Sequence, residues 1–476
     1  MSEPLWTLDD MAAAMRAERA GDLPAAVPGL SIDTRTIKPR EAFFAIQGEN
    51  RDGHDFVEAA LKAGAGVVVV AGAKAGAMPK GAPLLVVQDV LAGLNDLAKA
   101  SRARSSAKIV AVTGSVGKTG TKEALRLVLG KQGETHASAA SYNNHWGVPL
   151  SLALMPRSTN FGVFEIGMNH AGEITPLTRL VRPHVAIVTT IAPVHLEFFG
   201  TLDAIADAKA EIFLGLEEGG TALINRDIAQ YKRLAKAAFA AGVANIVSFG
   251  EHEGADARLV KVSLQPDTST VRAHILGHDV TYKLGAPGRH VVDNSLAVLA
   301  AAQLLGADLA LAALGLAELK PPVGRGERVT LNVGDGTALL IDESYNANPT
   351  SMRAALALLG QVPAHGLGRR IAVLGDMLEL GPEGAALHRA LADAVLSSKV
   401  DLVFCAGPLM KSLWDALPSE RRGGYAETAA ALEGEVLGAI QAGDALMVKG
   451  SLGSRMGPIV KAIIRRYTRA QVHASA

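Results

Sequence analysis

The segment TGSVGKT, residues 113–119, holds the residue types that cradle phosphate. It follows the strand-like run KIVAVT at 108–113 and leads into the helix-like run KEALRLVLG at 122–130. Gly114 and Gly117 let backbone N–H groups converge on phosphate oxygens, and a helix starting there adds the positive end of its dipole. In that arrangement Lys118 reaches the outer phosphates and Thr119 holds Mg2+. Thr113, Gly114, Ser115, Val116, Gly117, Lys118, Thr119 and Gly120 are therefore the candidate nucleotide contacts. The full consensus asks for a glycine where Val112 stands, so the match is to its shorter half, GxxGKT. No NKxD-like guanine reader is present, which favours ATP over GTP.

Three more residues could add charge near such a loop. Glu165 ends the apolar run FGVFE, where a carboxylate has no packing reason to sit. His195 follows VAIVTTI at a comparable strand end, and the ends of parallel strands are where α/β sheets bind ligands. Oxygen donors suit Mg2+, whereas an imidazole is a less usual ligand. Taken singly, Glu165 and His195 fit capping or core roles more readily than ligand roles. Lys209 lies on the helical pattern LDAIADAKAEIFLGL, and composition alone makes it a solvated helix lysine in the company of Glu211.

The elements that must position these residues alternate along nearly the whole chain. Strand-like runs occur at 67–70, 84–87, 108–113, 185–191, 338–342, 370–376, 402–407 and 445–451, with amphipathic helical stretches between them. That alternation predicts α/β layers on mostly parallel sheets. A chain of 476 residues suggests about three domains. The polar stretch SRARSSAK at 101–108 and the Pro/Gly-rich KPPVGRGE at 320–327 divide it into 1–103, 104–319 and 320–476. Residues 250–285 alternate in a β-like way and predict hairpins on the edge of the middle domain.

Composition excludes several classes. Lys plus Arg and Asp plus Glu number 47 each, so the formal charge is zero and no basic excess exists to grip nucleic acid or an anionic membrane. The single cysteine, Cys405, rules out an internal disulfide or a thiolate cluster and reads as an inert buried thiol in a reducing compartment. MSEPLWTLDD lacks the basic and apolar regions of a secretory signal, which predicts a cytoplasmic protein. The apolar stretch 296–317 approaches the length of a membrane span, but Gly306 and the Ala-Asp that follows split it into two soluble helices.

With TGSVGKT, EIGM, APVHLE and AKAEI in this order, the chain resembles the Mur ligases, the ATP-dependent amide-forming family of peptidoglycan synthesis. Further points of resemblance are SIDTRTIKPREAFFAIQGENRDGHDFV at 31–57, SYNNHWGVPLSL at 141–152, GRHVVDNSLAV at 288–298, GRGER at 324–328, DESYNANPTSM at 342–352, LGDMLELG at 374–381 and KGSLGSRM at 449–456. GKTGTKE in place of GKTTT, and the lack of a DNPR-type signature, bring it nearest to the members that add a terminal D-alanyl-D-alanine.

The resemblance implies an N-terminal uridine-nucleotide module, a central P-loop ATPase-like parallel sheet and a C-terminal Rossmann-like domain. It implies ATP and Mg2+ as cofactors, and UDP-N-acetylmuramoyl-tripeptide and D-alanyl-D-alanine as small-molecule substrates joined through an acyl phosphate. Lys118, His195, Lys209 and Arg325 become the catalytic candidates, Arg325 reaching from the third domain to the γ-phosphate. Thr119, Glu165, His195 and a carbamylated Lys209 become the metal set. Asn294 would read adenine, Asp342 lie near the ribose, and Tyr345, Asn346 and Pro349 line the adenine side. Ser31, Thr34, Arg35, Gln47 and Gly48 would contact the uridine nucleotide, and Asn143 and Asn144 the sugar or peptide. His290 stands evenly between a site role and a structural one, while Asp33, Asp52 and His54 read as turn and cap residues. A monomer without nucleic-acid partners or membrane insertion is expected, with closure about a hinge at 321–325. Two rivals stay open: a sister ligase of the muramyl or folate polyglutamate type, and a P-loop switch or binding module that makes no bond.

Overall fold

The computed structural model describes residues 4–48, 51–139, 142–194, 196–362 and 368–468. The central sheet has nine strands, in the spatial order 278–284, 269–275, 257–264, 245–250, 221–225, 185–188, 108–113, 161–165 and 135–137. Pairing is parallel from Thr135–Ala137 across to Ala257–Leu264 and antiparallel for the last two strands. Ile109, Val110, Ala111 and Val112 are fully buried, which is why the parallel strands read as continuous apolar runs. Lys108–Thr113 lies between Val185–Val188 and Phe161–Glu165, where the strand order reverses, so its carboxyl end opens into a crevice.

Residues 250–285 do form antiparallel hairpins at the sheet edge. The run 185–191 makes a shorter strand than its apolar pattern, ending at Val188. Gly306, at φ +83°, lies between the helices Arg289–Leu304 and Leu309–Gly315, and Asp308 Oδ1 accepts the Leu311 N–H at 2.8 Å to start the second. Among the described residues no helix is long and apolar enough to cross a membrane.

The amino-terminal sheet has five strands, parallel except for Glu18–Ala20 at one edge. The carboxy-terminal sheet has six, parallel except for the hairpin strand Glu327–Val333. The polar stretch at 101–108 is not a plain linker: helix Val90–Ala103 runs into it and packs on helix Gly147–Ala153. There Arg102, only 6% exposed, donates to Val181 O at 2.9 Å, to Arg182 O at 3.0 Å and to Glu217 Oε1 at 2.9 Å. Its polarity serves an interface, since a buried guanidinium persists only when paired. Trp6 Nε1 donates to Ala153 O at 2.8 Å and pins the amino terminus to the same face.

Candidate active site

Gly114 and Gly117 have φ of +148° and +92°, and a Cβ on them would lie 1.9 Å from Thr189 Oγ1 and 2.6 Å from Asn294 Nδ2. Only glycine fits either place. Thr189 donates to Val116 O at 2.6 Å, and Ser115 N–H and Oγ reach Thr190 O at 2.8 Å and Ala192 O at 3.0 Å. The loop is thus held by the segment that follows Val185–Val188. Helix Lys118–Gly130 then starts at the crevice, putting Lys118 and Thr119 in its first turn. Lys118 Nζ lies 2.7 Å from Gly114 O. Burial holds its amine below the ordinary lysine range, with Glu165 opposing and Arg325 reinforcing the shift.

Glu165 is 1% exposed at the end of strand Phe161–Glu165. Its oxygens accept the Thr119 hydroxyl at 2.9 Å and the Asn143 amide at 2.8 Å. Lys209 is also 1% exposed, which overturns the solvated reading. Glu211 does not accompany it, because that carboxylate accepts Gly172 N–H at 2.6 Å and the Thr175 hydroxyl at 2.9 Å. Burial pushes the Lys209 amine far below its ordinary value, and the nearby Lys118 cation pushes the same way. His195 lies outside the described residues.

A cavity of about 680 Å³ spans the loop and the third sheet. Its far wall carries Arg325, whose guanidinium carbon stands 4.3 Å from the Tyr345 ring centroid. Beside it Lys449, 3% exposed, donates to Glu343 Oε2 at 3.1 Å and Asn346 O at 3.0 Å. Leu378, Glu379, Leu380, Ser451 and Leu452 close that end. Positive groups therefore face one another across a crevice that two sheets build jointly, an arrangement suited to phosphate.

Of the sequence candidates, the cavity wall includes Ser115, Val116, Gly117, Lys118, Thr119, Gly120, Asn143, Glu165, Asn294, Arg325, Tyr345 and Asn346. His290 lines it as well. Thr113 and Gly114 stand behind the loop and do not line it. Asp342 is also outside the wall, since its carboxylate turns onto Ser344 N–H at 2.9 Å, and its neighbour Glu343 faces the cavity instead. Pro349 is the buried first residue of helix Pro349–Gln361, while Thr350 and Ser351 line the wall. Ser31 ends strand Leu30–Ser31 with Thr34 and Arg35 following it, Gln47 and Gly48 follow strand Ala42–Phe44, and none of the five lines this cavity. Asn144 Oδ1 accepts Gly147 N–H at 2.9 Å just before helix Gly147–Ala153, and Asn144 lines a smaller pocket with His145 and Glu173. Asp33 accepts Arg35 N–H at 2.9 Å and Asp52 accepts His54 N–H at 3.0 Å, as expected of turn and cap residues. Sequence reasoning missed Thr189, Asn225, Glu343 and the role of Lys449. Asn225 ends an apolar strand, the same signal that exposed Glu165, and Lys449 sat unread in the KGS motif.

The chain matches known families along most of its length. The description "Mur ligase family, catalytic domain" fits residues 26–102, "Mur ligase middle domain" 112–302 and "Mur ligase, glutamate ligase domain" 324–452. A UDP-N-acetylmuramoyl-tripeptide:D-alanyl-D-alanine ligase of Rickettsia prowazekii is 32% identical over 431 residues, covering 90% of this chain and 94% of that one. The chain belongs to the Mur ligase family. Another Mur ligase of the same name, from Bacillus subtilis, is 34% identical and covers 92% and 93% of the two chains. The crystal structure I of MurF from Acinetobacter baumannii gives a TM-score of 0.82 at 28% identity, over 97% of this chain and 99% of that one. The three-domain α/β architecture of the Mur ligases is that of this chain.

Proposed function

We propose that the chain is an ATP-dependent ligase that adds D-alanyl-D-alanine to UDP-N-acetylmuramoyl-tripeptide. One observation carries the reading: a phosphate loop and a third-sheet arginine share one cavity in a chain with full-length relatives of that activity. The division at 1–103, 104–319 and 320–476 gives each module its own sheet, with 321–325 as the hinge. The enzyme works as a cytoplasmic monomer.

A carboxylate is a poor electrophile, so the tripeptide carboxylate first takes the γ-phosphoryl group and releases ADP. The dipeptide amine then attacks the acyl carbon, losing a proton, and the C–O bond to phosphate breaks. Little covalent work falls to the protein, whose task is positioning and charge neutralisation. Lys118 and the loop N–H groups hold the phosphates, and Arg325 meets the charge that builds on the transferring group. Asn294, Tyr345 and Asn346 border the base. Ser31, Thr34, Arg35, Gln47 and Gly48 hold the uridine nucleotide, and Asn143 and Asn144 the sugar or peptide.

The residues present fit a divalent cation. Glu165 is a buried carboxylate with the Thr119 hydroxyl beside it and, among the described residues, no cation paired to it by a hydrogen bond, and carboxylate and hydroxyl oxygens are ligands that suit Mg2+. Thr119 would hold one such ion and Glu165 and His195 a second, with a carbamylated Lys209 helping to position a metal, and the ions would neutralise phosphate charge. Burial favours the neutral amine, the form that captures CO2, which supports the Lys209 assignment.

The test is phosphate release from ATP and Mg2+ with UDP-N-acetylmuramoyl-tripeptide, with and without D-alanyl-D-alanine, followed by product mass. Dipeptide-dependent release with a pentapeptide mass supports the reading. Release indifferent to both substrates points instead to a nucleotidase.

A further inference from the structure

The loop 376–381 forms part of the cavity's third-sheet wall and touches the middle domain, where Glu197 N–H approaches Glu379 O at 3.4 Å. It holds a strained residue, Glu379, at φ +62°. Such a conformation persists only when its neighbours are fixed, and two hydrogen bonds fix them here. Leu378 N–H donates to Ser451 Oγ at 3.0 Å, and Met377 N–H donates to His388 Nε2 at 2.9 Å.

His388 is fully buried, and its Nδ1 lies 2.6 Å from Gly384 O. Since a carbonyl only accepts, Nδ1 carries the hydrogen, and Nε2 keeps the lone pair that receives Met377 N–H. An imidazolium would aim a second N–H at Met377 and break that bond. Asp376, at the end of strand Arg370–Gly375, is the carboxylate that faces the ring, and its own oxygens are engaged by Met410 N–H at 2.8 Å and Leu409 N–H at 3.4 Å. Cys405 of the adjacent strand is buried beside Asp376. On the packed helix Lys411–Ala416 the charges Lys411 and Asp415 pair with each other, and Arg353, on helix Pro349–Gln361, donates to Ala390 O at 3.0 Å. Glu383 and Arg389 on either side of the ring are exposed.

We propose that His388 is a positioning residue: its neutral ring clamps the loop 376–381 in place across the cavity, and protonation of Nε2 releases that loop and slows turnover. This rests on the ligase reading for its kinetic consequence, not for the loop itself. Burial holds the ring below the ordinary histidine range, consistent with a neutral resting state.

The test compares wild type with His388→Gln, which keeps an acceptor but cannot titrate, and His388→Leu, which keeps neither. At pH 8, His388→Leu should lower kcat by roughly 10²-fold, the scale of a displaced positioning group, with Gln partly restoring it. The ratio of Gln-variant to wild-type kcat, in which substrate titration cancels, should stay level through the ordinary histidine range and rise only at more acid pH, where the buried ring takes its proton. Hydrogen exchange at 377–381, corrected for intrinsic rates, should show wild type losing protection at acid pH and the Gln variant keeping it. A ratio that stays flat down to the lowest pH at which both proteins remain folded, or equal loss of protection in both proteins, overturns the proposal. Wild type without dipeptide-dependent turnover would remove the ligase reading alone, and exchange would still decide the clamp.

Discussion

Arg325→Ala separates what the third domain contributes to stability from what it contributes to chemistry. In the resting structure the guanidinium has one cation–π contact, 4.3 Å from the Tyr345 centroid. Such a contact is worth about 0.5–1 kcal/mol at a partly exposed position. The Arg325 N–H that holds Pro322 O at 2.9 Å belongs to the backbone and survives the substitution. Thermal stability should therefore fall by only about 1 kcal/mol. An arginine that meets phosphoryl charge in the transition state is worth about 10³–10⁵ in kcat, or roughly 4–7 kcal/mol. ATP binding to the open form, which rests on the 113–120 loop, should change little. The assay is kcat from dipeptide-dependent phosphate release, beside calorimetric ATP binding without peptide and a melting curve. Arg325→Lys should fall between, since it keeps the charge and loses the planar fork. Equal losses in ATP affinity and kcat would refute closure of Arg325 onto the nucleotide.

Lys209→Met should abolish turnover yet raise the melting temperature near neutral pH when both proteins are compared without bicarbonate and metal, so that Lys209 is the free amine. A lysine whose folded pKa is depressed costs stability below its unfolded value of about 10.5, and the cost grows as pH falls; an unchanged melting curve would dismiss the burial argument. Lys209→Ala should regain part of its activity with short carboxylic acids, and normal turnover without them would remove the carbamate assignment. Asp293, in the cavity wall, is pushed up to about 7 by burial, against the pull of Arg289, with Glu251 and Asp227 adding to the rise. Because the folded state keeps its proton longer, stability is lost as pH rises from about 4 through about 7, so Asp293→Asn should stabilise at pH 8 and hardly at pH 4. With the side chain 31% exposed, the gain discounted for solvent screening is about 1–2 kcal/mol, and equal melting shifts at both pH values would contradict it. Gly117→Ala puts a Cβ 2.6 Å from Asn294 Nδ2 at φ +92°, and strain of about 1–3 kcal/mol should appear as weaker ATP binding in a titration. Unaltered affinity would show the loop to be more yielding than its contacts imply.

Much of the fold could be read locally. KIVAVT and LLVV became strands with the expected bounds, and Gly306 and Asp308 split the apolar stretch as their backbone preferences require. Errors arose where a residue's partner lies far along the chain. The strand predicted over 185–191 stops at Val188 because Thr189 turns its hydroxyl onto the phosphate loop, 73 residues away. Arg102 looked like linker polarity because Val181, Arg182 and Glu217 are invisible from position 102.

Local order fixed the strand, the glycine loop and the helix at 108–130, and the alternation that builds parallel sheets. Those are properties of consecutive residues, set by side-chain period and by which dihedrals each residue tolerates. Which charges share a cavity was settled by packing. It buried Lys209 without the company of Glu211, chose Glu343 over Asp342 for the wall and joined Lys449 to Glu343 across 106 residues. Desolvation and pairing depend on distance through space, which one-dimensional order does not contain.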